Sequence, residues 1–338
     1  MTPSPTRRVR RAISAPFRRY LDSRFDRVEE RLNRLEKRIH PTSSDFLARV
    51  DVSAHNAGTV PPTFERVVSQ VVSAAQFLEP DFERNLKLMY PSQVRLPWGG
   101  APGVALHRKV WEFVYIVRAA EQYGLLNEGR RAVGFGVGRE PVPATLARQG
   151  LSVLATDLHT SNAESASWAS TGQHLSGVDA LSHPDIVSDE VLQQAVTIRY
   201  VDMTAIPDDL GSFDFVWSCG ALEHLGSPEA GLDFVSRSLG LLSPGGVAAH
   251  TTELELTRRT TTADYGDIVV YQLDDLDRFA GLVRMCGYEI ETNWHVAMET
   301  PADRWVGHHA YDDPAYLKLA VGDSITTSVG LLIRRPEA

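Results

Sequence analysis

The run Arg131-Ala132-Val133-Gly134-Phe135-Gly136-Val137-Gly138-Arg139-Glu140 constrains this chain more than any other. Three glycines alternate behind a short apolar stretch and ahead of a helical pattern. A second apolar run, Leu151 to Thr156, follows and closes on Asp157. A strand, a glycine turn, a helix and a second strand ending in an acid are how a doubly wound sheet grips a nucleoside. Without a Cβ, the glycines let the backbone approach the ligand closely. The acid is placed to accept hydrogen bonds from ribose hydroxyls.

The turn discriminates between nucleoside cofactors. A dinucleotide rests its pyrophosphate on a helix N-terminus. Here Pro141 and Pro143 follow the turn, and Glu140 stands where a phosphate would approach. A carboxylate there repels pyrophosphate but suits an ammonium or a sulfonium, which favours S-adenosyl-L-methionine. The later segments keep the order such a sheet requires. Tyr200-Val201-Asp202-Met203 ends a third strand, with an acid and an apolar residue suited to an adenine amine and ring. Phe213-Asp214-Phe215-Val216-Trp217-Ser218-Cys219-Gly220-Ala221-Leu222-Glu223-His224-Leu225 reads as a fourth strand and its turn. Leu239 to Gly246 leads into a fifth strand that reaches His250.

These segments resemble the class I S-adenosylmethionine-dependent methyltransferases over roughly residues 110–335. The Phe213–Leu225 segment is similar to their fourth strand and following turn. Leu241-Leu242-Ser243-Pro244-Gly245-Gly246 is similar to the turn before their fifth. The resemblance implies a sheet ordered 3-2-1-4-5-7-6 with strand seven antiparallel. It implies a cofactor site built from Gly134, Gly136, Gly138, Glu140, Asp157, Leu158, Asp202, Met203, Ser218, Cys219 and Gly220. One departure stands out. The acid that usually lies two residues before the central glycine falls on Gly134, and the usual last glycine falls on Glu140. Glu140 is a candidate to replace the missing acid; a helix N-terminal acid favoured by the dipole is the other reading.

Methyl transfer needs alignment and, for a hydroxyl acceptor, removal of a proton. Candidate bases therefore lie at the C-terminal ends of strands four and five: Glu223 and His224, then His250 and Glu253. Trp168, Gln173 and His174, in an insertion between strands two and three, offer an apolar face and polar groups that suit a sugar; a core tryptophan is the alternative. His308, His309, Asp312 and Asp313 read as a solvated loop, with ligation of a divalent metal as the alternative, and no metal site is assigned. An O-methyltransferase acting on a sugar or glycan hydroxyl is the first expectation. A nicotinamide-dependent oxidoreductase and a catalytically silent methyltransferase-like scaffold are the alternatives.

Strand signals at 131–136, 151–156, 196–201, 213–218, 246–251, 288–296 and 326–333 make an α/β class, a doubly wound, seven-stranded, mainly parallel sheet. Residues 126–338 form the methyltransferase domain in this reading. Residues 41–125 form a mostly helical lead-in or substrate cap, with helical spacing over Phe64–Leu78. Residues 1–40 form a basic arm and a short coiled coil. Leu21, Phe25, Val28, Leu32, Leu35 and Ile39 are spaced as a heptad seam, with charges on the other faces. The seam implies a homo-oligomer joined through residues 21–39.

Charge sharpens this division. The first 40 residues hold twelve Lys/Arg and five Asp/Glu, whereas the chain as a whole carries a net charge of −9. The acidic remainder argues against a nucleic-acid-binding face, and the basic arm allows weak contact with an anionic membrane surface. Two distant cysteines, Cys219 and Cys286, with no spanning run or signal-peptide core, point to a reducing, cytoplasmic setting.

Overall fold

Apolar runs punctuated by glycine turns become a twisted sheet with helices on both faces. The computed structural model describes residues 43–91, 106–159, 175, 177–257, 263–264, 268–307 and 316–337. The heptad seam, the basic arm, Trp168, Gln173, His174 and the His308–Asp313 loop lie outside them. The chain divides into two compact units, Met1–Ala48 and Arg49–Ala338. In the first, the described element is the short helix α1 (Ser43–Leu47).

The helices of the second unit are α2 (Ser53–Asn56), α3 (Pro80–Met89), α4 (Arg108–Gln122), α5 (Val142–Arg148), α6 (Asp189–Ala195), α7 (Pro228–Leu239) and α8 (Leu273–Met285). Its strands are β1 (Ser69–Val71), β2 (Arg131–Phe135), β3 (Ser152–Asp157), β4 (Val196–Tyr200), β5 (Phe213–Cys219), β6 (Leu242–Glu255), β7 (Ala263–Asp264), β8 (Val269–Val270), β9 (Glu289–Ile290), β10 (Thr292–Asn293), β11 (Val306–Gly307), β12 (Lys318–Val321) and β13 (Ser324–Arg334). The main sheet runs β10-β1-β13-β6-β5-β2-β3-β4. From β4 to β13 this is the expected 3-2-1-4-5-7 order. β2 through β6 are mutually parallel, and β13 is antiparallel to β6.

The sixth position departs from expectation. The 288–296 run is two short pieces, β9 and β10, and only β9 pairs with β13. The middle of β13 pairs instead with β1, which precedes the glycine turn by some sixty residues in sequence, at Gln70–Gly330 and Val71–Val329. The helix expected over Phe64–Leu78 is therefore corrected to strand β1 and a one-turn 3-10 helix, Ala75–Leu78. The three-and-four spacing was real, but open backbone groups on β13 offered this segment ladder bonds. Tertiary pairing overrides a local period of this length. Within residues 41–125, β1 thus joins the main sheet while the other elements are helical.

Helix α4 packs across β5, β6 and β13 and carries the core. The His107 side chain accepts the Lys109 N–H at 3.1 Å and starts the helix. Trp111 and Tyr115 are fully buried and stack at 4.9 Å. Their polar ends are satisfied: Trp111 Nε1 donates to Gln76 Oε1 at 2.7 Å, and the Tyr115 hydroxyl to the Val68 carbonyl at 2.8 Å. On the opposite face α7 starts at Pro228, with the Ser227 hydroxyl capping the Ala230 N–H. No helix among the described residues is long and apolar enough to cross a membrane.

Candidate active site

Strand β2 ends in the glycine turn. Gly136 and Gly138 take φ of 62° and 51°, left-handed values that other residues rarely adopt. The Val137 N–H is tied to the Thr156 carbonyl at 3.1 Å, and the Thr156 hydroxyl donates to the Gly134 carbonyl at 2.8 Å. These bonds fix the turn against the end of β3. Asp157 follows there, half-buried, with its carboxylate accepting the N–H groups of Leu158 (2.8 Å) and Leu175 (3.0 Å). Beyond β4, Asp202 accepts the N–H and hydroxyl of Thr204 at 2.8 and 2.7 Å. Met203 is buried, and its sulfur would lie 3.5 Å from a Cβ on Gly136. The turn, Asp157 and Met203 thus come together at the C-terminal end of the parallel strands.

Gly134 has no room for a side chain. A Cβ there would lie 2.2 and 2.4 Å from ring carbons of Trp217. Trp217 Nε1 donates to Glu140 Oε1 at 2.6 Å, and both residues are buried. Burial pushes the Glu140 carboxyl up, the Trp217 bond and Lys109 pull it down, and Glu112 and Asp157 raise it; it comes to rest at about 8.

Past β5, Gly220 donates its N–H to the Thr251 hydroxyl at 3.1 Å and leads into the one-turn 3-10 helix Leu222–His224. Around that point lies a buried polar cluster. Lys109 pairs with Glu112 at 2.8 Å, and Arg108 with Glu253 at 2.6 Å. Glu112 also accepts from the Ser328 hydroxyl, from Thr251 at 3.3 Å and from the Cys219 thiol at 3.4 Å. Glu253 accepts from Thr326 at 2.7 Å, and Glu223 from Thr252 at 3.1 Å.

Burial alone would lift all three glutamates. Lys109 and Arg108 beside Glu112, and Arg108 beside Glu253, outweigh it and hold those two below the usual carboxylate range. At Glu223 burial prevails over the pull of Lys109, and the charges of Glu253 and Glu112 add to it; the group is lifted to about 7. Tyr90, just after α3, lies against the same cluster: burial first, then Cys219 and Glu140, raise its phenol. Among the described residues there is no group of side chains that could hold a metal ion.

The strands separate the expected residues onto two faces. Cys219, Thr251 and Glu253 turn toward α4. Ser218 and His250 turn the other way, toward α7. His250 Nδ1 pairs with the Ser218 hydroxyl at 2.8 Å and Nε2 with that of Ser238 at 3.2 Å. Its exposure is 0%, and burial pushes it down to about 3. His250, expected as a base, is enclosed on the α7 side, and the Ser218 side chain turns with it, because consecutive strand residues face opposite sides. Glu223 lies in the polar cluster and His224 at its edge, half-buried. Sequence reading missed Tyr90, Arg108, Lys109, Glu112 and the role of Trp217. The one available signal was a set of charged residues at i, i+1 and i+4 opening an otherwise apolar helix.

Residues 132–249 match the sequence model of a methyltransferase domain. No curated protein matches the chain in sequence. Solved structures it is similar to include the N-terminal domain of EvdMO1, determined in the presence of SAH and D-fucose (14% identity, 76% of this chain and 96% of that one, TM-score 0.39). Others are an O-methyltransferase family protein of Burkholderia thailandensis (14%, 78% and 70%, TM-score 0.35) and an SAM-dependent methyltransferase of Geobacter sulfurreducens in complex with S-adenosyl-L-homocysteine (15%, 62% and 72%, TM-score 0.36). They lend no residue here a role.

The glycine turn, Asp157 and strands β3 to β5 all lie within the segment that matches the methyltransferase-domain model. S-adenosyl-L-methionine is the cofactor that the residues present fit. Asp157 would offer a carboxylate to a ribose diol, the left-handed glycines open the backbone, and Glu140 is a buried carboxylate suited to a cation.

Proposed function

We propose that the chain methylates a hydroxyl of a polar acceptor, a sugar or glycan in the first instance, with Glu223 as the group that takes the proton. S-adenosyl-L-methionine, when bound, supplies an activated methyl group on a sulfonium. The rest falls to the chain: to hold the acceptor, exclude water and receive one proton. The observation that carries the reading is the division of labour among three buried glutamates. Glu112 is committed to Lys109 and Glu253 to Arg108, whereas Glu223 is held by the Thr252 hydroxyl and its own backbone and sits near neutrality. A carboxylate of that strength is matched to accepting a proton at physiological pH. Carboxylates beside threonine hydroxyls suit a hydroxyl-rich acceptor. Trp168, Gln173 and His174 favour a sugar on the grounds of their residue types.

The test offers the full chain S-adenosyl-L-methionine with a panel of free and glycoside-linked sugars and reads methylated product by mass. With an accepted sugar, Glu223→Gln should lower kcat by about 10²–10⁴-fold and leave S-adenosylhomocysteine affinity unchanged. The wild-type rate should rise with pH through about 7 as Glu223 loses its proton, and that limb should vanish in the variant. Near-normal turnover in the variant would assign the proton to another group.

A further inference from the structure

The departure at Gly134 has a structural counterpart, and the two explain each other. We propose that the cofactor's α-ammonium is received by Glu140, which Trp217 carries into place across the space that Gly134 leaves open. The proposal rests on the methyltransferase assignment and adds to it a relocated ammonium seat, with Trp217 as its positioning residue.

The geometry runs through three contacts. A Cβ at position 134 would collide with the Trp217 ring and come within 2.6 Å of the Val137 side chain, so no acid can stand there while Trp217 keeps its place. Trp217 is fully buried and stacked on Phe215 at 6.0 Å, so its ring cannot swing away cheaply. Its Nε1 holds Glu140 Oε1, and that bond points a carboxylate from the far end of the turn back toward Gly134. An acid is thus delivered beside the same strand end by a different route.

The surroundings fix what this carboxylate can meet. It faces Lys109 and Glu112 from α4, Asp157 from β3, Tyr90 from the end of α3 and Trp217 from β5. Lys109, the cation among them, is already paired with Glu112. A carboxyl held in low dielectric without its own cation stays protonated near neutral pH, and an arriving ammonium reverses that balance. Glu140 is also within electrostatic reach of both Asp157 and the Lys109–Glu112 pair.

Two ligands separate this role from mere support of the turn. S-adenosylhomocysteine carries the ammonium; 5′-methylthioadenosine keeps the adenosine thioether and lacks the amino-acid end. By calorimetry on the full chain, Glu140→Gln should weaken S-adenosylhomocysteine about tenfold or more and leave 5′-methylthioadenosine unchanged. Trp217→Phe should show the same selectivity with a smaller loss. Repeated near pH 7 in buffers of different ionisation enthalpy, wild-type binding of S-adenosylhomocysteine should release a proton that 5′-methylthioadenosine does not. Equal losses for both ligands, no loss for either, or no ligand-specific proton release would overturn the proposal. Methylthioadenosine binding with unaltered S-adenosylhomocysteine affinity in Glu140→Gln would leave the methyltransferase assignment standing and remove only the ammonium seat.

Discussion

His250 and Glu223 both follow apolar strands, and both are buried, yet burial gives them opposite uses. His250 is enclosed by Ser218, Ser238 and the Phe234 ring, so losing solvent simply keeps it neutral. Glu223 is enclosed with Lys109 and two other carboxylates nearby and gains a strength suited to proton transfer. His250→Ala should leave a cavity and two serines short of a partner, at about 2–4 kcal/mol, measured by urea unfolding. Methyl transfer by the folded variant should stay near normal. The sign of the pH effect follows from the depressed value. Folded His250 titrates at about 3 against 6.5 ordinarily, so its share of stability is complete above 6.5 and is lost as pH falls toward 3. The variant should lack that part of the acid slope; an unchanged slope would place the titration elsewhere.

Helix α4 is the element that turns a generic sheet into this site. Its first turn sets Arg108, Lys109 and Glu112 against β5, β6 and β13. Arg108 and Glu253 form an ion pair with side chains only 7% and 9% exposed. Removing one partner of such a pair strands the other, so Arg108→Met should cost about 3–5 kcal/mol. Replacing both, with Glu253→Leu added, should recover most of that. If the double variant is no more stable than the single, the pair is not the unit that holds α4 here. The glycine turn, Asp157 and the β5 segment were legible in the sequence because each is local: a strand, a turn and an acid within one unit. The α4 cluster was not, since charged residues at a helix start look the same whether they face water or a sheet. Strand parity was there to read. Residues 250 and 253 differ by an odd number, so they could not both face the same side. β1 was hidden for another reason: its partner lies far along the chain, and only the pairing reveals a strand.

At the scale of the whole molecule, the sheet brings residues 69–71 and 324–334 beside strands from the matched domain, so the catalytic body is larger than residues 132–249. The seam at residues 21–39 is expected to join copies of that body. Leu32→Asp with Leu35→Asp in the full chain should lower the mass seen by light scattering; an unchanged mass would mean that the seam does not assemble the protein.

The central claim is that Gly134–Gly138 and Asp157 hold the nucleoside of S-adenosyl-L-methionine. Calorimetry with S-adenosylhomocysteine tests it most directly. The wild-type chain should bind, and Asp157→Ala should lose at least tenfold in affinity, because charge-assisted ribose hydrogen bonds contribute about 1.5–3 kcal/mol each. Equal binding by the two proteins, or none by the wild type, would contradict the account.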